Sequence, residues 1–262
     1  MSLTGKSPSE TYKDILYVDN SNSGVDGTKR AVKSGDGSSS SLLVSDRGLQ
    51  VKSSTDNTTD LDIQNSGGTT KFLVDTDNNY VKANGVFVNT QYAHFNANYH
   101  DASGFAANTH YALPFTGNSF LSTISDVDFG TGTDPDTTFT TADTDTQYAG
   151  QLVPCIFYLP DAIYIDAVTS IEGADAATGD TTRMHLYSYT FTSGSTSALT
   201  SGTLLAHNDD VTNAGDEQAY LSTWTVDSAS VAAGKVLVAF FRSDSINSDY
   251  SLNITLKYHL TG

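Results

Sequence analysis

The sequence predicts an all-β protein, and three observations carry that prediction. The chain has a formal net charge of −17, and its 30 acidic residues comprise 27 Asp and only 3 Glu, at Glu10, Glu172 and Glu217. Asp favours turns and strand ends, whereas Glu favours helices. Short apolar runs alternate with Asn-, Asp- and Gly-rich turns. In the clearest run, Tyr250–Tyr258, Leu252, Ile254, Leu256 and Tyr258 alternate with Ser251, Asn253, Thr255 and Lys257, the period of a half-buried strand. Three regions are expected: an N-terminal arm at 1–35, a short trimeric β-stalk of short strands at 36–104, and a C-terminal antiparallel β-sandwich, jelly-roll-like head at 105–262.

In the arm, Ser7-Pro8-Ser9-Glu10 matches a capping box with Pro at the first helical position, followed by Tyr12, Ile15 and Leu16 at helical spacing. The segment TYKDILYVD reads equally as a strand or an extended peptide. In both cases its apolar residues need a partner, since so short a helix is marginal alone.

The stalk offers very short strands at Leu49/Val51, Leu61/Ile63, Phe72/Val74, Val81 and Val86/Val88, separated by DNTTD, NSGG, DTDNN and ANG. These spacers supply positive-φ turn residues, and the spacing suits a meander or spiral of strands. Each strand has only one or two apolar side chains per face. Such a chain has too little interior to offset an ordering cost of roughly 1–2 kcal/mol per residue. Burial against symmetry mates supplies what is missing, so a homo-oligomeric stalk cored by Leu49, Val51, Leu61, Ile63, Phe72, Val74, Val81, Val86 and Val88 is expected.

From about residue 105 the strands lengthen. Gln151–Leu159, Ala162–Ile171, Arg183–Phe191, Tyr220–Val226 and Lys235–Arg242 join Tyr250–Tyr258 as strand candidates, with VLVAFF expected to be buried on both faces. Pro154 and Cys155 interrupt a strand pattern, so an edge strand or bulge is expected there. The stretches GDGSSSS and TSGSTSALTSGT read as low-complexity turns.

Composition excludes several functions. So acidic a chain repels nucleic acid and anionic membrane surfaces, and neither is an expected partner. The longest apolar run, Val236–Phe241, is about a third of the roughly 20 residues that a bilayer span needs. MSLTGKSPSE contains no apolar signal core, so classical secretion is not expected. A single cysteine, Cys155, makes neither an intrachain bridge nor a cysteine-based zinc site.

Catalytic signatures are equally scarce. The histidines at 94, 100, 110, 185, 207 and 259 form no HExxH or HxH motif, no GxSxG elbow occurs, and Gly5-Lys6-Ser7 cannot complete a phosphate loop. No enzyme and no resident cofactor are therefore expected. Asp126, Asp128, Asp134 and Asp136 crowd into DVDFGTGTDPDTTF and are the weak calcium candidate, though a solvated acidic loop is the simpler account. His185, Tyr187, Tyr189 and Phe191 share one strand face, which reads as a contact surface or, more simply, as a sheet face covered by a neighbour.

The stretches TYKDILYVDNSNSGVDGTKRAVKSGDG and GLQVKSSTDNTTDLDIQNSGGTTKFLVDTDNNYVKANGVFVNT resemble the amino-terminal regions of virion proteins of marine tailed bacteriophages, namely tail fibres and virion structural proteins. The resemblance covers roughly residues 3–95. It implies an arm anchored to the particle, a trimeric β-structured stalk and an outward β-rich head. The glycine-rich "GIGT"-type shaft repeats of many longer fibres are lacking, so the implied stalk is short and better suited to a capsid surface than to a long tail fibre. The expected protein is thus a non-enzymatic, homotrimeric capsid decoration, cement or head-fibre protein, made in the host cytoplasm and displayed on the virion. Its partners would be capsid or tail proteins of the same virion, docking Tyr12, Ile15, Leu16, Tyr17 and Val18. The alternatives are a tail fibre recognising host surface glycans, with His185, Tyr187, Tyr189 and Trp224 as its ligand face, and a free carbohydrate-binding module.

Overall fold

The computed structural model describes residues 16–21, 23–99, 106–115, 124, 126–142, 147–245 and 248–261. It is all-β, as predicted, and divides into two compact units, 1–88 and 89–262.

Unit 1 contains two four-stranded antiparallel meanders. The first runs β1 (Leu16–Val18), β2 (Arg30–Ser34), β3 (Ser39–Ser45) and β4 (Gly48–Val51) in chain order, and the second β5 (Leu61–Gln64), β6 (Thr70–Asp75), β7 (Tyr80–Ala83) and β8 (Val86–Phe87). The turns follow the expected chemistry. Asn84 and Gly85 join β7 to β8 with φ of 50° and 81°, the paired positive values of a type I′ hairpin. Residues 16–34 belong to the first meander, so the expected arm boundary at 35 is corrected. The helix signal at Ser7–Glu10, with Tyr12 and Ile15, lies outside the described residues, while Leu16, Tyr17 and Val18 form β1.

Unit 2 begins earlier than expected. β9 (Thr90–Tyr99) pairs along its whole length with β20 (Asp249–Leu260), so the head starts at residue 89 and not at 105. β20 also pairs with β12 (Ile163–Asp175), and β12 with β16 (Gln218–Thr223), giving the order β16-β12-β20-β9, with the short β18 (Ser230–Val231) added to β12. The opposing sheet has the order β10-β19-β13-β14-β17: Tyr111–Ala112, Lys235–Ser243, Thr181–Phe191, Leu199–His207 and Thr225–Val226. β11 (Phe157–Tyr158) and β15 (Val211–Thr212) add to β19 and β13. Between the sheets lies a core that includes Phe95, Ile165, Met184, Leu237, Phe241 and Ile254, an arrangement consistent with a β-sandwich.

A second core covers the far side of the β13–β19 sheet. Val236, Val238, Phe240, Tyr187 and Tyr189 pack there against Phe129, Phe139, Leu152 and Cys155 of the connecting segments. β19 therefore feeds Leu237, Ala239 and Phe241 into one core and Val236, Val238 and Phe240 into the other, which is why VLVAFF carries no polar face.

Two expectations within the head fail. Gln151–Leu159 is a strand only at β11: Ala149–Leu152 forms a short helix, α1, and Val153–Cys155 a 3₁₀ turn with Pro at its start. Proline lacks the N–H that a ladder would use but fits a first helical turn. Conversely, the Ser/Thr-rich stretch read as a turn contains the first half of β14. There Gly202 lets the strand pass against Tyr189 and Thr137, where a Cβ would sit 2.6 Å from the tyrosine ring and 2.7 Å from Thr137 Cα.

Candidate functional site

Strand pairing in unit 1 decides which side chains share a face. In the first meander Val18 lies opposite Val32, Val44 opposite Leu49, and Leu42 opposite Val51. In the second, Leu61, Val74 and Val81 form one cross-strand row, and Ile63, Phe72, Ala83 and Val86 the next. Residues opposed across a ladder point to the same side. The expected stalk residues thus collect on a single face of each sheet: Leu49 and Val51 on the first, Leu61, Ile63, Phe72, Val74, Val81 and Val86 on the second. Val88 follows β8, donating its N–H to Val81 O at 3.1 Å.

Those faces are only half-covered among the described residues, with Leu61, Phe72, Val74 and Val81 half-buried. Among the described residues of unit 1 the only buried one is Asp75, whose carboxylate accepts the Asn78 backbone N–H at 2.8 Å. Leu49 remains 64% exposed, Ile63 51% and Val88 58%. The opposite face of the second sheet is knit locally: Lys82 Nζ sits 4.4 Å from the Tyr80 ring centre and 4.3 Å from that of Phe87, a cation–π arrangement between half-buried neighbours. The apolar surface left open in unit 1 is therefore spread over whole sheet faces.

The head places its predicted ligand face in the interior, which corrects that expectation. His185 and Tyr189 are fully buried, and Tyr187 and Trp224 nearly so. His185, Tyr187 and Tyr189 point to the second core, under the segment carrying Phe129 and Phe139. Burial raises both tyrosine pKa values well above the ordinary phenol range. Trp224 donates Nε1–H to Ser170 Oγ at 2.9 Å inside the sandwich. These are covered sheet faces, the simpler of the two readings.

Folding creates one polar cluster that the sequence concealed. His110, just before β10, meets His185 of β13 edge to face at 5.0 Å between ring centres, with His207 at the end of β14 6.3 Å from His185. His110 Nε2 lies 3.1 Å from Gly132 O, so that nitrogen donates and Nδ1 keeps a lone pair without a partner. His207 Nδ1 bonds Asp227 at 2.8 Å. Neither His185 nitrogen makes a hydrogen bond, although Asp134 Oδ1 stands 3.4 Å from Nε2. Burial, opposed by the Gly132 carbonyl, pulls the His110 pKa down to about 4. Burial pulls His185 further down, and the neighbouring His110 and Arg183 add to the effect. Both imidazoles are accordingly neutral at neutral pH, and the Asp134–His185 approach is not an ion pair.

Asp134 and Asp136 are exposed, while Asp128 Oδ1 accepts the Gly130 N–H at 2.6 Å. Among the described residues no three His, Cys, Asp or Glu side chains are grouped to hold a metal ion. No described helix is long and apolar enough to cross a membrane.

Glu172 is the remaining unusual group. It lies on β12, 2% exposed, and accepts the Thr182 hydroxyl with both oxygens at 2.8 Å. Burial outweighs that bond and lifts its pKa to about 7.

No protein-family model matches the chain, and no curated protein matches it either.

Proposed function

We propose that this chain is a non-enzymatic structural protein of a bacteriophage virion, a homotrimer whose first unit is the association stalk and whose second unit is an outward head. The observation that carries the reading is the pair of half-covered apolar faces on the two meanders of unit 1. Eight short strands with no buried apolar residue among those described cannot offset their ordering cost alone. Copies of the chain supply the missing cover, and closed assembly also protects exposed strand edges. The resemblance of residues 3–95 to tailed-phage virion proteins supports the particle assignment and the number three. In this reading the residues before β1 dock on the shell, and three weak attachments multiply into tight binding. The short stalk favours a capsid decoration, cement or head-fibre role over a tail fibre, and burial of His185, Tyr187, Tyr189 and Trp224 removes the residues on which the glycan-receptor reading rested.

Two measurements test this. Sedimentation of the full chain at micromolar concentration should give three copies per particle, and a monomer would overturn the stalk assignment. Immunogold labelling of virions with antibody to the head should mark the capsid. Loss of label when residues 1–15 are deleted, with the trimer intact, is the result expected for an anchoring arm; persistent label would refute that role.

A further inference from the structure

We propose that the outward face of the β16-β12-β20-β9 sheet is a second contact between copies, packing head against head within the oligomer. This rests on the reading that unit 1 holds copies together. Register places Asn96, Asn253, Ile171 and Leu221 in one row across the four strands. The adjacent row is His94, Thr255, Thr169 and Thr223. The flanking row, Asn98, Ser251, Gly173 and Ala219, continues the pattern. None of the three contains a carboxylate, in a chain with 30 acidic and 13 basic side chains. The acids stand at the ends: Asp175, Glu217 and Asp249 line a shallow hollow at one, and Asp166 is held by His259 at 3.0 Å near the other.

Charge selects the occupant. Two copies of a chain carrying −17 repel wherever carboxylates face each other, so like heads meet at lowest cost on a surface free of them. The face also carries Leu221, at 75% the most exposed large apolar side chain among the described residues, directly opposite Ile171 at 57%. Four of its polar members are already bonded sideways: His94 Nδ1 to Thr255 Oγ1 at 3.2 Å, and Ser251 Oγ to Asn98 Oδ1 at 3.0 Å. Covering them therefore strands few hydrogen-bonding groups.

The size of the face assigns it a subordinate role. Four strands at about 4.8 Å spacing over about five residues at about 3.3 Å give roughly 300 Å² per head, under half of the roughly 800 Å² a free-standing interface buries per partner. It closes only when the stalk raises the local concentration of heads to the millimolar range.

Thiol accessibility in the full chain tests this, because native Cys155 is buried and silent. Leu221→Cys should react with a maleimide at least tenfold more slowly than Asp209→Cys, a control at another exposed position. Thr223→Cys, in the neighbouring row, should be protected likewise and serves if the first cysteine disturbs the strand. Labelling of both face cysteines at the control rate, in a chain that still sediments as an oligomer, overturns the head contact and leaves the stalk reading standing. A monomeric full chain overturns both.

Discussion

Replacing Glu172 with Gln should change how stability depends on pH, by an amount that follows from the burial of one carboxyl. In the fold this group ionises near pH 7, against 4.5 when unfolded, with burial as the main cause and the Thr182 hydroxyl opposing it. A carboxyl whose pKa rises on folding is at no disadvantage below its unfolded value, and costs stability progressively as pH climbs toward the folded one. The step from 4.5 to about 7, at about 1.36 kcal/mol per pH unit, amounts to about 3 kcal/mol lost between pH 4.5 and 8. Gln keeps the shape and a hydrogen bond to Thr182 but has no proton to lose. Urea unfolding of both proteins from pH 4.5 to 8 should therefore show the variant gaining about 3 kcal/mol on the native chain across that range. Parallel pH profiles would refute the reasoning, because histidine titration and every other group are common to both proteins and cancel in the difference.

The double change Leu49→Ser with Ile63→Ser removes side chains that are 64% and 51% exposed in a single copy. Full burial of such a residue is worth about 1.5–3 kcal/mol, so the proposed trimer should dissociate at protein concentrations at least about 100-fold higher, as read by sedimentation. Unaltered association would place the contact elsewhere. Buried neutral His110 acts in the opposite sense to Glu172. Its pKa falls from 6.5 to about 4, so its contribution is intact above pH 6.5 and about 3 kcal/mol is lost as pH falls toward 4. A His110→Gln variant should show a shallower acid limb in its melting temperature against pH. Gly202→Ala would drive a methyl into Tyr189 and Thr137, at a cost of about 1–3 kcal/mol seen as a lowered melting temperature. An unchanged melt would mean that the strand can shift away.

Much of the architecture was legible because local chemistry and global placement agree. Asn84-Gly85 announces a tight hairpin, the alternation through Leu252–Tyr258 announces a half-buried strand, and VLVAFF announces burial on two sides. The failures occur where these signals conflict. Leu199–His207 pairs with β13 behind a sequence rich in Ser, Thr and Gly, because its cover comes from residues near 137 and 139. The sequence places β9 with the stalk although Ala93, Phe95 and Ala97 alternate with Tyr92, His94 and Asn96; alanine is too small to advertise a core. Apolar spacing in unit 1 marks the short strands, but only register reveals that each sheet gathers their apolar side chains on one face. The His110–His185 encounter joins positions 75 residues apart and leaves no linear trace.

The double-sided strand Lys235–Ser243 has a consequence for how the head comes apart. Because its odd and even positions anchor different hydrophobic compartments, neither compartment can loosen without withdrawing support from the other. The head should melt in one cooperative transition, and the amides of Val236–Phe241 should be the slowest in the molecule to exchange with deuterium, opening only when the whole unit does.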